Sequence, residues 1–200
     1  MYKRQVLTAL ALSGCATTQN NPYAEQQLQQ NHQQAVNNGG ATYSNNELVD
    51  AVSTHLGVTA EAAATTIERL FKDRGQPVAY ITGEEAGGAL GVGLRYGKGT
   101  LWMKNGETRK VYWQGPTIGF DAGADASKVF TLVYDLENPD FIYRRFPGVD
   151  GSAYLIAGMA VNYQKAEGVT LAPIRTGVGL RLGAKVGYTS YTNKRNYLPF

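Results

Sequence analysis

The spacing of the apolar residues changes once along the chain. Up to Gly75 these residues recur every three or four positions, as they do on one face of a helix. Ser44 and Glu47 form a capping box that begins a first helix, which Gly57 ends. Thr59 caps a second helix, and Gly75 lies just after its last turn. The pattern predicts two helices that pack on one end or face of the rest of the domain.

From Pro77 onward apolar and polar residues alternate over short segments that glycines and turn residues separate. Residues 90–104 form one long predicted strand or two halves of it, and Asn105-Gly106 is a hairpin turn signal. The other predicted strands cover residues 78–82, 110–114, 117–121, 128–135, 153–163, 169–174, 178–182 and 185–192.

Together these elements predict a mainly β, α+β fold. We expect a small antiparallel, Gly-rich β-barrel of about eight strands, with two N-terminal helices and one short inserted helix over residues 138–146. A closed sandwich is the alternative. The 24 glycines agree with either, because glycine is costly inside a helix, whereas bulged and curved strands use it.

A short repeat lies within the glycine-rich part. Residues 91–97 and 177–183 agree at six of seven positions, with glycines at alternate places. This leaves one face of each strand bare, so a neighbouring strand, a helix or a ligand must approach it. If it is a ligand, Arg95 and Arg181 would flank a shared groove.

The N-terminus has the pattern of an export signal. Lys3 and Arg4 precede an apolar stretch at residues 6–12, which is too short to span a bilayer. The string LSGC, which ends at Cys15, closely resembles the bacterial lipobox. Residues 1–15 are therefore predicted to be a lipoprotein signal peptide, with cleavage before Cys15 and acylation of its thiol. An ordinary cleaved signal peptide is the alternative.

Two further features bear on this anchor. Cys15 is the only cysteine, so it can form no intramolecular disulfide, and acylation would protect an otherwise exposed thiol. Ala16 comes next, and a residue other than Asp at this position favours the outer membrane over the inner one. We therefore expect the protein in the periplasm, held at a membrane by its lipid.

Between the anchor and the helices, residues 16–42 are rich in Gln and Asn. Such a segment buries little apolar surface, so a flexible tether is predicted, with His32 as a solvated residue. Residues 43–200 then form a single β-barrel-like domain. His55, near the end of the first helix, is predicted to serve as a cap or surface residue.

Charge gives little support to nucleic-acid binding. The chain carries 19 Lys and Arg against 16 Asp and Glu, and Lys3 and Arg4 lie in the export signal. The folded part is therefore nearly neutral, and we expect no nucleic-acid partner.

The inventory of catalytic motifs is also thin. The sequence has no metal-ligand spacing, dinucleotide fingerprint, phosphate loop or nucleophile elbow, so no cofactor or metal is expected. Glu84 and Glu85 are predicted to lie in a loop, where they are solvated or bond turn amides. A carbohydrate hydrolase using Glu85 or Asp121 is the weakest functional hypothesis, and it would require these carboxylates to converge in one cleft.

Aromatic and basic residues alternate in the strand region, and this combination suits contact with lipid headgroups, because each side chain has an apolar body and a polar end. A plain barrel core is the alternative role for Trp102 and Trp113. The candidate ligand-binding residues are Arg95, Tyr96, Trp102, Lys104, Trp113, Arg175 and Arg181.

Several long strings of the strand region stand out: ITGEE at 81–85, LRYGKGTL at 94–101, VYWQGP at 111–116, GFD at 119–121, RRFPGVDGSAY at 144–154, PIRTGVG at 173–179 and the final PF. Together they resemble the envelope integrity protein A family of bacterial periplasmic proteins over residues 43–200. The resemblance implies a small soluble β-barrel in the periplasm and a role in maintaining the cell envelope, with no established catalytic activity or cofactor. The lipobox departs from this family, in which a plain signal peptide is typical.

Residues 95–101 and 119–121 are also similar to the SYLF lipid-binding domain, a more distant relative. This similarity adds weight to phospholipid contact. The sequence therefore predicts a non-enzymatic periplasmic lipoprotein that supports envelope integrity by binding lipid or another envelope component. A scaffold that binds an envelope protein is the alternative.

Overall fold

The computed structural model of the chain describes residues 22–119, 125–149, 152–176 and 187–196. Three α-helices precede one antiparallel sheet: α1 is Pro22–Asn37, α2 is Asn45–Leu56 and α3 is Ala60–Arg74. The two helices predicted from capping residues are confirmed as α2 and α3.

Local chemistry sets the ends of these two helices. The Ser44 backbone N–H donates to the Glu47 carboxylate at 2.9 Å, and Gly57 ends α2 in the left-handed conformation at φ 70°. The Thr59 hydroxyl accepts from the Ala62 N–H at 3.2 Å, and Gly75 lies directly after α3. The capping rules therefore located both helices without reference to the rest of the fold.

Within the described ranges, nine strands form a single curled sheet. All pairs are antiparallel, in the order β4-β9-β2-β1-β3-β8-β6-β5, and β7 also pairs with β8. A bridge between Gly148 and Gln164 brings the segment after β4 beside β7, so opposite parts of the sheet meet. The strands are β1 Ala79–Met103, β2 Thr108–Gly119, β3 Asp125–Tyr134, β4 Arg145–Pro147, β5 Tyr154–Ile156, β6 Met159–Val161, β7 Gln164–Ala166, β8 Val169–Arg175 and β9 Tyr188–Thr192.

The predicted mainly β, barrel-like fold is confirmed, but several segments differ in detail. β1 is one strand of 25 residues, so Glu84 and Glu85 lie in a strand and the loop prediction was wrong. The inserted helix is only the 3₁₀ turn Pro139–Ile142, because β4 takes up the residues after it. The predicted strand 153–163 is a hairpin of β5 and β6. The predicted strand 178–182 lies outside the described residues.

Strand alternation separates two cores. Among the described side chains of β1, β2, β3 and β8, odd-numbered residues point to the concave face, where an apolar cluster includes Ile81, Leu101, Val111, Val133 and Leu171. Even-numbered residues point to the convex face and pack against the three helices, in a cluster that includes Tyr80, Phe130, Leu132 and Ile174. The helices therefore cover one face of the sheet, as the sequence predicted.

Residues 22–37 correct the prediction of a flexible tether over residues 16–42. They form α1, and the side chains of Leu28, His32 and Ala35 are buried on its inner side. His32 is not solvated, because its Nδ1 lies 2.9 Å from the Tyr43 hydroxyl. The helix has a weak apolar face, so its stability depends on packing against the rest of the fold. Residues 16–21 lie outside the described part.

Glycines allow the two halves of β1 to pass in direct contact. A Cβ atom on Gly83 would lie 2.4 Å from the Lys98 carbonyl oxygen, and one on Gly99 would lie 2.2 Å from that of Thr82. At Gly97 the Trp113 indole occupies the corresponding space, 2.0 Å from such an atom. Gly97 is the last residue of the first glycine repeat, so the Trp113 indole fills the space beside this end of the repeat. The second copy, at 177–183, lies outside the described residues.

We predict that Gly97→Ala destabilises the fold by about 1–3 kcal/mol, because the added methyl group overlaps the Trp113 indole in a packed interior. Urea unfolding monitored by circular dichroism measures this free energy. Gly187→Ala is the matched control, since its Cβ would lie 3.6 Å from Pro116, an ordinary contact. Equal stability of the two variants would contradict the close packing at Gly97.

Candidate functional site

A charged cluster lies on the concave face of the sheet, centred on Glu85. Arg175 Nε donates to one carboxylate oxygen at 2.7 Å, and Arg95 Nε lies 3.5 Å from the same oxygen. Trp113 Nε1 donates to the other oxygen at 3.2 Å. The cluster therefore joins β1, β2 and β8 through one carboxylate.

Burial decides what this carboxylate can do. Glu85 is 5% exposed and Arg175 is 8% exposed. Burial alone would raise the pKa of Glu85, but the guanidinium groups of Arg175 and Arg95 hold it below the usual value. Arg175 also donates to Asn162 Oδ1 at 2.9 Å. An ionised carboxylate with these bonds stabilises the fold and is a poor general acid or base. Glu85 therefore gives no support to the hydrolase hypothesis. Asp121 lies outside the described residues.

A groove runs along the convex face, where α1 passes over β1 and β2. One cleft of about 320 Å³ lies under α1 and is lined by Glu25, Leu28, Glu84, Lys98, Lys110 and Trp102 among others. A second cleft of about 360 Å³ has a lining that includes Glu84, Tyr96, Lys98, Tyr112, Gln114 and Arg195. Both are lined by Glu84, Lys98 and Tyr112, so we treat them as one feature, the outer groove.

The register of the hairpin places its two lysines side by side. Lys98 pairs with Tyr112 and Thr100 pairs with Lys110, so Lys98 and Lys110 are diagonal neighbours on one face. Such neighbours lie roughly 7–8 Å apart along the backbone, and long side chains can reach one group between them. In the described part of the chain neither lysine forms an ion pair. The groove thus offers two ammonium groups beside aromatic side chains.

His55 forms part of the wall of the outer groove and connects α2 to the sheet. Its Nε2 lies 3.1 Å from the carbonyl oxygens of both Gly83 and Val129. Burial lowers the pKa of His55 to about 4, although the Gly83 backbone opposes this shift. The side chain is therefore neutral at pH 7 and anchors the helix, which corrects the prediction of a cap or surface residue.

Six of the seven predicted ligand-binding residues lie in three separate places, and the seventh is not among the described residues. Arg95, Trp113 and Arg175 meet at Glu85 on the concave face, whereas Tyr96 and Trp102 line the outer groove. Lys104 is elsewhere: it donates to the Glu47 carboxylate at 2.9 Å and to the Ala35 carbonyl at 2.7 Å, and so holds the helices. Arg181 lies outside the described residues.

Sequence reasoning missed the residues that form the floor of the groove. Lys98, Lys110 and Tyr112 were not among the candidates, and Glu84 was placed in a loop. The Asn105-Gly106 turn signal locates the hairpin but not its register. A two-residue turn at these positions would pair Lys98 with Trp113, whereas the Met103 N–H donates to the Glu107 carbonyl and the loop comprises residues 104–106. The contact of α1 with this surface had no comparable local signal.

Within the described ranges, no three His, Cys, Asp or Glu side chains form a group that could hold a metal ion. Among the helices of the same ranges, none has the length and apolar character needed to cross a membrane.

Comparison with known proteins relates this chain to a family model and to a solved structure. The family model described as envelope integrity protein A matches residues 41–200. A crystal structure described as a beta-barrel-like, uncharacterized protein from Brucella abortus is similar at 43% sequence identity and a TM-score of 0.73, covering 80% of this chain and all of that one. No curated protein is significantly similar in sequence.

We predict that Glu85→Ala destabilises the fold by about 3–5 kcal/mol, because it leaves the buried Arg175 without its carboxylate. Urea unfolding is the measurement. The control is Glu107→Ala, which removes an ion pair to Arg109 that is largely exposed and should cost less than about 1 kcal/mol. A similar small loss for both variants would show that the Glu85 cluster carries little stability.

Proposed function

This chain belongs to the envelope integrity protein A family, and on that premise we propose that it is a non-enzymatic lipoprotein of the periplasm whose outer groove binds the phosphate-bearing headgroup of a lipid. The family description assigns a role in the integrity of the cell envelope. Lipid binding, anchoring through Cys15 and the outer membrane as the location are the finer parts of the proposal.

The pair of lysines in the outer groove is the observation that carries the proposal. A phosphate placed between Lys98 and Lys110 would receive two charge-assisted hydrogen bonds. The side chains of Tyr112 and Trp102 line the groove, and each is apolar at one end and polar at the other, like the aromatic residues at a membrane interface.

The short distance from the proposed anchor supports the same function. Six residues separate Cys15 from Pro22, the first residue of α1, and six residues span at most about 20 Å when fully extended. The first half of α1 lines the outer groove through Glu25 and Leu28. An acylated Cys15 would therefore keep the groove close to the membrane surface.

The bonds of two buried titratable groups, Glu85 and His55, support a binding role over an enzymatic one. Glu85 is held ionised by Arg175 and Arg95, and His55 is held neutral between carbonyl oxygens. Both groups hold the fold together and are not poised to transfer a proton to a substrate.

A scaffold for an envelope protein is the second candidate. Three large apolar side chains are 41–54% exposed, namely Phe141, Val149 and Leu155. Such exposure is compatible with contact to another protein. Crosslinking of the full chain in cells, with mass spectrometry of the products, would identify such a partner at these residues.

We predict that K98E/K110E lowers binding to phosphatidylglycerol vesicles at least tenfold, since each lysine near an anionic surface contributes about 1 kcal/mol. The measurement is co-flotation of the full chain carrying Cys15→Ser, so that the anchor does not mask the groove. K72E/K165E is the matched control, with the same charge change at positions away from the groove.

Two results would overturn the proposal of a lipid-binding groove. One is failure of the Cys15→Ser chain to float with any vesicle. The other is an equal loss of binding in the control variant, which would indicate attraction by net charge alone. If inorganic phosphate competes with the vesicles for binding and the acyl chains have no effect on that binding, the site is one for free phosphate.

A separate prediction concerns the anchor. Cys15→Ser should move the protein from the membrane fraction to the soluble fraction, because two or three acyl chains are needed for stable attachment. Intact mass spectrometry of the chain that keeps Cys15 should show the added acyl mass. A mature chain that carries no acyl mass would contradict lipidation.

A further inference from the structure

α1 rests on three aromatic side chains, which we name the α1 seat: Tyr43, Tyr80 and Trp102. The His32 ring lies among them, with its centroid 5.1 Å from that of Trp102 and 6.5 Å from those of Tyr43 and Tyr80. The side chain is only 6% exposed, and its Nε2 is buried without a hydrogen-bond partner in the part of the chain that the structure describes. A titratable ring is thus the central contact of this helix.

A cation already lies beside this ring. Lys104 Nζ donates to the Ala35 carbonyl of α1 and lies 5.1 Å from the centre of the Tyr43 ring. The carboxylate nearby is that of Glu47 on α2, and Lys104 and Asn38 both donate to it. A second positive charge on His32 would therefore meet a lysine and neutral phenols, and the local carboxylate is already engaged.

The groups that face His32 come from several parts of the fold. They are Tyr43 ahead of α2, Glu47 on α2, Tyr80 on β1, and Lys104 with Gly106 at the β1–β2 turn. Burial lowers the pKa of His32 below its usual value, the Gly106 backbone opposes this, and Lys104 lowers it further.

The remaining contacts of α1 are few. Besides His32, its buried side chains are Leu28 and Ala35. Val36 approaches the turn at Gly106, and the rest of the helix is mostly glutamine. At the same time Glu25, Leu28 and Gln29 form one wall of the outer groove. The weakly held helix therefore also controls the width of this groove.

We propose that α1 is an acid-released strap over the outer groove: a proton on His32 detaches the helix from the α1 seat and opens the groove. The inference rests on the proposed function only for what enters the opened groove. Release of the helix is a property of the chain by itself.

The pH range is set by linkage. Released α1 carries a histidine with the ordinary pKa of 6.5, whereas the docked form resists the proton. Docking is therefore complete above pH 6.5 and weakens as the pH falls below it. One pH unit below 6.5, the docking equilibrium is lower by at most about tenfold.

Hydrogen exchange of the full chain at pH 7.5 and 5.5 tests the release. After correction for intrinsic exchange rates, we expect the protection of α1 amides to fall by up to about tenfold at pH 5.5, while β3 amides keep theirs. This pH interval lies above the usual range of carboxylate titration, and β3 reports whether the whole domain stays folded. Unchanged α1 protection would overturn the proposal.

Two variants separate His32 from other titrating groups. His32→Leu fits an apolar seat and cannot take a proton, so its α1 should stay protected at both pH values. His32→Lys carries a permanent charge, so its α1 should exchange rapidly already at pH 7.5. An undiminished pH response in His32→Leu, or a fully protected α1 in His32→Lys, would also overturn the proposal.

Vesicle flotation distinguishes this inference from the proposed function. With the Cys15→Ser chain and phosphatidylglycerol vesicles, we expect more binding at pH 5.5 than at pH 7.5, and no such difference when His32→Leu is added. Binding that is equal at both pH values would refute the gating of the groove. No binding at either pH, together with pH-dependent exchange of α1, would refute lipid binding and leave the release of α1 intact.

Discussion

The close passage of the two halves of β1 is the constraint on which the rest of the structure depends. The first half pairs with β3 and the second half with β2, so a single strand joins both parts of the curled sheet. The halves can approach only because Gly83, Gly97 and Gly99 have no side chains, and the Trp113 indole fills the space that remains. This arrangement fixes which residues of β1 face inward.

The alternation of side chains along β1 then places its two adjacent glutamates on opposite faces of the strand. Glu85 faces inward, where it is ionised and joined to Arg175, and it borders the second cleft, whereas the side chain of its neighbour Glu84 lines both clefts of the outer groove. Adjacent carboxylates on a strand point to opposite faces, so the pair cannot work as one acid/base site. The buried cluster acts on stability and the exposed residues remain available for a ligand.

α1 connects the proposed membrane anchor to the groove. Its composition is that of a weak helix, yet Lys104 and Tyr43 provide the contacts that hold it. A helix held mainly by a buried histidine and one lysine is easier to release than α2, which has five buried side chains. A low local stability beside the groove is what a responsive element of this kind requires.

The sequence by itself determined the capped helices, the alternation of the strands and the position of the hairpin turn at Asn105-Gly106, because each depends on neighbouring residues and on period. The family strings were equally readable. Only the tertiary structure decided that residues 22–37 are helical and that Glu85 is buried, because both outcomes depend on partners far along the chain, Tyr43 and Lys104 for α1 and Arg175 for Glu85. Desolvation and packing between distant segments leave no pattern in a local window.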